Sequence, residues 1–308
     1  MEMLAVQEAG VYVDCTLGSG GHAREILARM GPRGRLIGID KDQSALSLAQ
    51  EALAPFRDQV TFVARDFRHL RDILTELGIS RVDGILFDLG VSAFQVLDPQ
   101  RGFSYSHDAP LDMRMDRTAS VTASDLVNNL DEKELASLIF RYGEEKWARR
   151  IASLIVARRR KAPITTTGQL VEIIKAAIPA PARRRGPHPA KRTFQALRIA
   201  VNDELAGLAE GLQAGISFLA PGGRIVVISF HSLEDRIVKN IFRDYASSCV
   251  CRDRRVCTCG KGILRILTRK PLTPTSCEVK LNPRARSAKL RAAERIDSAA
   301  GCTTGKKR

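Results

Sequence analysis

Four aspartates, Asp14, Asp40, Asp66 and Asp88, each stand at or just beyond the end of a short apolar run in the first ninety residues. A carboxylate so placed can hold a cationic amine, accept from a pair of hydroxyls, or take a hydrogen bond from an exocyclic amine. Between the first two lies Cys15-Thr-Leu-Gly-Ser-Gly-Gly-His22, with Gly18, Gly20 and Gly21. Such a turn lets backbone amides approach a nucleotide-like ligand. Asp40 follows Gly20 by twenty residues, placed for the hydroxyl pair of a ribose. Asp14 precedes Gly18 by four, where it would pair with a cationic amino group and repel a pyrophosphate. The combination implies an adenosine-containing ligand and favours S-adenosylmethionine over NAD. Two other readings stay open: Gly18-x-Gly20-x-x-Ala23 also fits the looser dinucleotide fingerprint, and Asp14 could cap a turn in an unrelated α/β protein.

The elements that must position these acids alternate. Strands are expected at 11–14, 35–40, 60–64 and 82–88, with helices at 23–29, 42–53 and 68–77, a parallel, doubly wound α/β sheet. Ligands of such sheets bind beyond the carboxyl ends of the strands, where the four acids and Phe67 fall. The alternation then stops until a strand at 223–230. Helices are expected at 123–129, 131–142 (Asp131 and Glu134 forming a capping box), 144–160 and 167–178, and Pro-rich punctuation at 179–189. The expected organisation is a core of 1–104 and 196–308, interrupted by an all-helical insert of 105–195 that recognises substrate. The chain returns with a helix at 190–213 and, after the strand, a helix at 232–245 capped by Ser232.

At 308 residues with 44% hydrophobic and 27% charged residues, the chain is of globular composition. It has no apolar run long enough for a membrane span, and no signal peptide is expected; seven cysteines in such a chain suggest a reducing cytoplasm. The net charge of +15 is unevenly spread: residues 141–200 carry +12 and residues 252–308 another +12, leaving −9 on the rest. Two basic blocks suggest a polyanion held from two sides. The bland alternative is solvated helix faces and a disordered tail over about 297–308.

Taken together the segments resemble the bacterial ribosomal small-subunit RNA (cytosine-N4) methyltransferase family. The matching motifs are Asp14-Cys-Thr-Leu-Gly-Ser-Gly-Gly-His22, Asp83-Gly-Ile-Leu-Phe-Asp-Leu-Gly-Val-Ser92, Arg101-Gly-Phe-Ser104 and Pro110-Leu-Asp-Met-Arg-Met-Asp116. Further along come the stretch from His188 to Leu205, that from Ser229 to Lys239, and that from Asn282 to Arg295. The resemblance implies a class I S-adenosylmethionine-dependent methyltransferase, Rossmann-like with an inserted helical domain. Its substrate would be the N4 amine of one cytidine in the decoding region of 16S rRNA, on assembled small subunits. It implies cofactor contacts at Gly20, Gly21, His22, Asp40, Phe67, Asp88 and Gln95, with Asp40 on the ribose, Phe67 bordering the adenine, and Asp88 and Gln95 near the donor. Two departures stand out. The family's His-x-Pro-Val-Leu-x-x-Glu segment is absent from the ten residues before Val11, and Ala93-Phe94 replaces a common Ser-Pro pair.

A cytosine amine is a weak nucleophile because its lone pair is delocalised into the ring, so the expected mechanism is direct displacement with the amine held in line. Asp88 or Ser92 would accept a hydrogen bond from it, and no dedicated general base is required. Arg183, Arg184, Arg185, Lys191, Arg192, Arg284 and Arg286 are the expected phosphate contacts. No membrane or DNA partner is expected, and a homodimer is left open. Cys249, Cys251, Cys257 and Cys259 form a C-x-C-x5-C-x-C set, read either as a zinc site or as a reduced thiol-rich loop, and no metal ligand is assigned. His231, Glu234 and Asp235 read as a helix start rather than a metal site. Against the methyltransferase stand an NAD-dependent oxidoreductase and a non-catalytic RNA-binding assembly factor.

Overall fold

The computed structural model describes residues 1–184, 186–247 and 262–296. The apolar runs that end near aspartates are strands: β1 (Val11–Asp14), β2 (Arg35–Asp40), β3 (Val60–Ala64) and β4 (Val82–Asp88). Between them lie α1 (Gly21–Leu27), α2 (Gln43–Ala52) and α3 (Leu70–Glu76). The chain divides into two units, one of 1–90 with the residues from Gly207 onward, the other Val91–Ala206.

In the first unit the sheet is completed by β5 (Leu219–Ser229), β6 (Leu264–Ile266) and β7 (Lys289–Arg295), in the order β3-β2-β1-β4-β5-β7-β6. β1 to β5 are parallel, while β7 runs antiparallel to β5 and to β6. A parallel sheet buries both faces, which is why its strands carry apolar residues at consecutive positions. Val13, Ile37, Ile39, Ile85, Phe87, Ile225 and Val227 pack in one layer. It also takes Leu70 and Ile73 of α3, Leu208 and Leu212 of α11 (Glu204–Phe218), and Val238 and Phe242 of α12 (Ser232–Ala246). Their neighbours Tyr12, Leu36, Leu86 and Val226 face the opposite layer with Ile26 of α1 and Leu46 of α2. Each such side chain removed from water contributes roughly 1.5–3 kcal/mol.

Two C-terminal strands went unread because β6 and β7 lie in the basic block. Arg291 of β7 is buried against Asp235 at 2.7 Å. Glu294 is shared by Arg224 at 3.1 Å and Arg265 at 2.6 Å. Part of the second +12 block is therefore neutralised within the sheet and is not free for phosphate. Asp235 is held below its ordinary pKa: burial opposes ionisation, but Arg291 and Lys289 outweigh it.

The second unit is helical: α4 (Ala93–Leu97), α5 (Ala123–Asn129), α6 (Glu132–Gly143), α7 (Ala148–Arg159), α8 (Thr167–Ala177), α9 (Ala180–Arg183) and α10 (Lys191–Asn202). Leu135, Ile139, Ile151, Ile155, Leu170, Ile174 and Leu197 meet in its core. Capping boxes start α5 (Thr122 with Asp125), α6 (Asp131 with Glu134) and α8 (Thr166 with Gln169), satisfying amides that a helix leaves orphaned. The unit begins earlier and ends later than 105–195 because the Ser92-capped turn and α10 belong to it. The helix expected over 190–213 is broken at Asp203, whose φ of 45° lies in the left-handed region, and α7 starts at Ala148, not 144.

Gly102 is held at φ 65°, and a Cβ there would sit 2.1 Å from the Pro110 carbonyl oxygen. Gly102→Ala is expected to cost about 3 kcal/mol, the sum of left-handed strain and overpacking, read as a lower urea midpoint. A midpoint equal to that of the wild type would mean that the loop simply shifts.

Candidate active site

The carboxyl ends of β1, β2 and β4 lie in register, Asp14 pairing level with Gly38 and Leu86, two residues short of Asp40 and Asp88. The loop after β1 is bound to both neighbours: Cys15 donates to the Leu86 carbonyl and Leu17 to that of Ile39, both at 2.9 Å. Gly18 and Gly20 take φ values of 52° and 84°, which glycine adopts without strain. At Gly20 a Cβ would come within 3.2 Å of Leu53, whereas at Gly21 it would meet open space within 4 Å. The Gly21 backbone is therefore approachable.

Asp40 holds this turn. Its carboxylate accepts from the Gly18 amide at 2.8 Å and from the Asp42 amide at 2.9 Å. Burial pushes its pKa up, with the two amides pulling against it. Asp14 is fully buried and accepts from the Thr16 amide through Oδ1 at 3.1 Å, while Oδ2 has no partner. Desolvation raises its pKa to about 7, helped by Asp88 and Asp40 and opposed by His22 and the Thr16 amide. Asp88 Oδ2 lies 3.2 Å from His22 Nε2, while its buried Oδ1 is unpartnered. Its amide donates to Thr16 Oγ1 at 2.6 Å. His22 is drawn above its ordinary pKa, chiefly by the hydrogen bond to Asp88, against burial. The first unit thus brings Asp14, Gly18, Gly20, Gly21, His22, Asp40 and Asp88 together.

Phe67 starts the short turn after β3 and is half-buried, its ring edge-on to Phe87 at 5.4 Å. Gly211 of α11 makes room for it, since a Cβ there would lie 2.8 Å from the ring. Asp66 accepts from Lys41 at 3.1 Å and from the Arg68 amide at 2.9 Å, so it caps the turn that carries Phe67. Thr16 and Gly211 were not expected. The only sequence signal for Thr16 was a hydroxyl two residues past a strand-end acid.

Ser92 and Gln95 belong to the second unit and form a capping box at α4. Ser92 Oγ accepts from the Gln95 amide at 3.1 Å, and Gln95 Oε1 accepts from the Ser92 amide at 3.0 Å. Both therefore have a structural role at a helix start. In the same unit Arg183, Arg184, Lys191 and Arg192 are exposed, Arg192 donating to the Glu144 carbonyl at 3.3 Å. Arg284 and Arg286 of the first unit are exposed too. Arg185, the four clustered cysteines and the 297–308 tail lie outside the described residues. The cap of α12 is His231, not Ser232; Ser232 is its first helical residue, and His231 and Glu234 form the capping box. Among the described residues no helix is long and apolar enough to cross a membrane.

Because Asp14, Asp40 and His22 all have raised folded pKa values, the folded protein keeps protons that the unfolded chain releases. Stability present at low pH is therefore lost as pH rises, for Asp14 between its ordinary 3.8 and about 7. Urea midpoints at pH 5 and pH 8 are expected to fall in that order, and Asp14→Asn to shrink the difference. A variant that keeps the whole difference would remove Asp14 as its source.

The model of the MraW methylase family matches residues 1–296. Ribosomal RNA small subunit methyltransferase H of Symbiobacterium thermophilum is 58% identical over 300 residues, 97% of this chain and 94% of its own. The proteins of that name from Brevibacillus brevis and Geotalea uraniireducens are each 55% identical, over 295 and 298 residues. These alignments cover 95% and 96% of this chain, and 94% and 96% of the relatives. The NAD-dependent oxidoreductase reading falls with these matches. A match over residues 1–296 and relatives more than half identical across nearly the whole chain place it in the MraW methylase family, S-adenosylmethionine-dependent methyltransferases.

Proposed function

We propose that this protein methylates the N4 amine of a cytidine in the decoding region of small-subunit ribosomal RNA, acting in the cytoplasm on assembled small subunits. The observation that carries this reading is the pair of buried, unpartnered carboxylate oxygens, Asp14 Oδ2 and Asp88 Oδ1, flanking the glycine turn of a methylase. Buried acceptors without donors are costly and fit a ligand that brings donors and positive charge. S-adenosylmethionine does both, and it supplies the electrophilic methyl group.

In this scheme Asp14 serves the amino-acid end of the donor, Gly18, Gly20 and Gly21 give the backbone approach, and Asp40 takes the ribose hydroxyls. Phe67 borders the adenine, and the motif resemblance assigns Gln95 to the donor. Asp88, held by Thr16 and His22, accepts a hydrogen bond from the cytosine amine, orienting its lone pair and stabilising the positive charge that grows on nitrogen. Ser92 is the second candidate acceptor. The product ammonium releases its proton to water. Arg183, Arg184, Arg185, Lys191, Arg192, Arg284 and Arg286 take phosphates and so position the RNA without reading its sequence. The relatives' names support a small-subunit ribosomal RNA substrate.

The test is transfer of labelled methyl from S-adenosylmethionine to small subunits lacking the modification, followed by nucleoside mass spectrometry. N4-methylcytidine in one decoding-region fragment is expected. Label in another nucleoside, or none while the donor still binds, would defeat the reading.

A further inference from the structure

Within the helical unit, one aromatic arrangement is not used by the scheme above. Tyr105 and His188 stack face to face, with ring centroids 4.6 Å apart and planes within 4°. Tyr105 is half-buried, and its ring meets Phe194 at 5.7 Å and 89°. Phe194 is a core residue, 4% exposed. The pair is thus fixed from below, while His188 remains exposed.

Its imidazole is also held in place. Nδ1 accepts from the Ala190 amide at 3.2 Å, and the His188 carbonyl accepts from the Lys191 amide at 3.0 Å. With Nδ1 accepting, the proton of the neutral ring is on Nε2. Partial burial and Lys175 keep the His188 pKa below its ordinary value, so the ring is a neutral plane near pH 7. On either side of it in the chain are exposed Arg183, Arg184, Lys191 and Arg192, and the run from Pro179 to Arg192 contains no acid.

A rigid, neutral, exposed ring in a chain segment rich in exposed cations suits an unpaired nucleobase whose phosphates those cations take. A folded protein partner would demand apolar area, which this run of arginines, lysine and prolines does not offer. We propose that the Tyr105–His188 stack is a base-stacking platform, taking one unpaired RNA base against His188 with its flanking phosphates on Arg183, Arg184, Lys191 and Arg192. This rests on the RNA substrate proposed above and adds a contact that holds the RNA through a base rather than through charge alone.

The test uses the full chain with two readouts: binding of a fluorescent single-stranded RNA oligonucleotide, and methyl transfer to unmodified small subunits. His188→Ala is expected to weaken oligonucleotide binding and raise KM for subunits by about fivefold or more. kcat and donor affinity should not change, and His188→Phe should restore both losses. Tyr105→Ala should follow His188→Ala, but it also removes a contact with Phe194, so the exposed His188 position decides. The proposal is overturned if the wild type binds no oligonucleotide, if His188→Ala binds as the wild type does, or if His188→Phe is as weak as alanine. A wild type that methylates no subunits would defeat the substrate reading instead, and the oligonucleotide readout would still decide the platform.

Discussion

Asp40→Ala is expected to raise the dissociation constant for S-adenosylmethionine by about a hundredfold or more. The side chain does two jobs. Its oxygens accept from the Gly18 and Asp42 amides, which pins the glycine turn to the end of β2, and each retains a lone pair for a ribose hydroxyl. Hydrogen bonds to a charged group contribute about 1.5–3 kcal/mol each, so losing two towards the ligand costs at least about 3 kcal/mol, more than a hundredfold in affinity. The loosened turn adds to that. Asp40→Asn keeps the shape but turns one acceptor into a donor facing an amide, and should recover only part of the loss. Titration calorimetry reads both variants. A dissociation constant within threefold of the wild type for Asp40→Ala would mean that Asp40 shapes the turn without touching the ligand.

Much of this site was legible in the chain because its logic is local. An apolar run that stops at an acid, followed by glycines, specifies strand, turn and helix with few competing solutions, and β1, β2 and β4 lie where the run lengths put them. The capping box at Asp131 was legible for the same reason. What escaped was settled by distant partners. β7 reads as part of a basic tail, and only pairing with β5 and the acids Asp235 and Glu294 makes its arginines compatible with a buried strand. Gly211 looks like an ordinary helix glycine until Phe67, far off in sequence, proves to need the space. Ser92 and Gln95 present the opposite problem: three residues apart, they have a purely local use as a cap, which a motif match does not exclude. The break at Asp203 had no signal because aspartate is tolerated within helices and in the left-handed region alike.

Asp88→Ala is expected to lower the single-turnover rate of methyl transfer at saturating donor by about a hundredfold to a thousandfold, the usual effect of deleting one preorganised group at developing charge. Three features of Asp88 support this. Its amide is tied to Thr16 at 2.6 Å, so the end of β4 is fixed relative to β1. Its Oδ2 is engaged by His22, which fixes the carboxylate plane. Its Oδ1 is buried with no donor, an arrangement that costs stability unless a ligand completes it. As the amine attacks, its nitrogen becomes positive, and a fixed carboxylate stabilises that charge more than it stabilises the neutral amine, so the effect falls on the rate rather than on RNA binding. Asp88→Asn keeps the size and an acceptor but loses the charge, so its rate should fall between alanine and wild type. His22→Asn should have a smaller effect than either, because it only loosens the carboxylate. A transfer rate for Asp88→Ala within threefold of the wild type would remove Asp88 from the chemistry and shift attention to Ser92 as the acceptor of the amine.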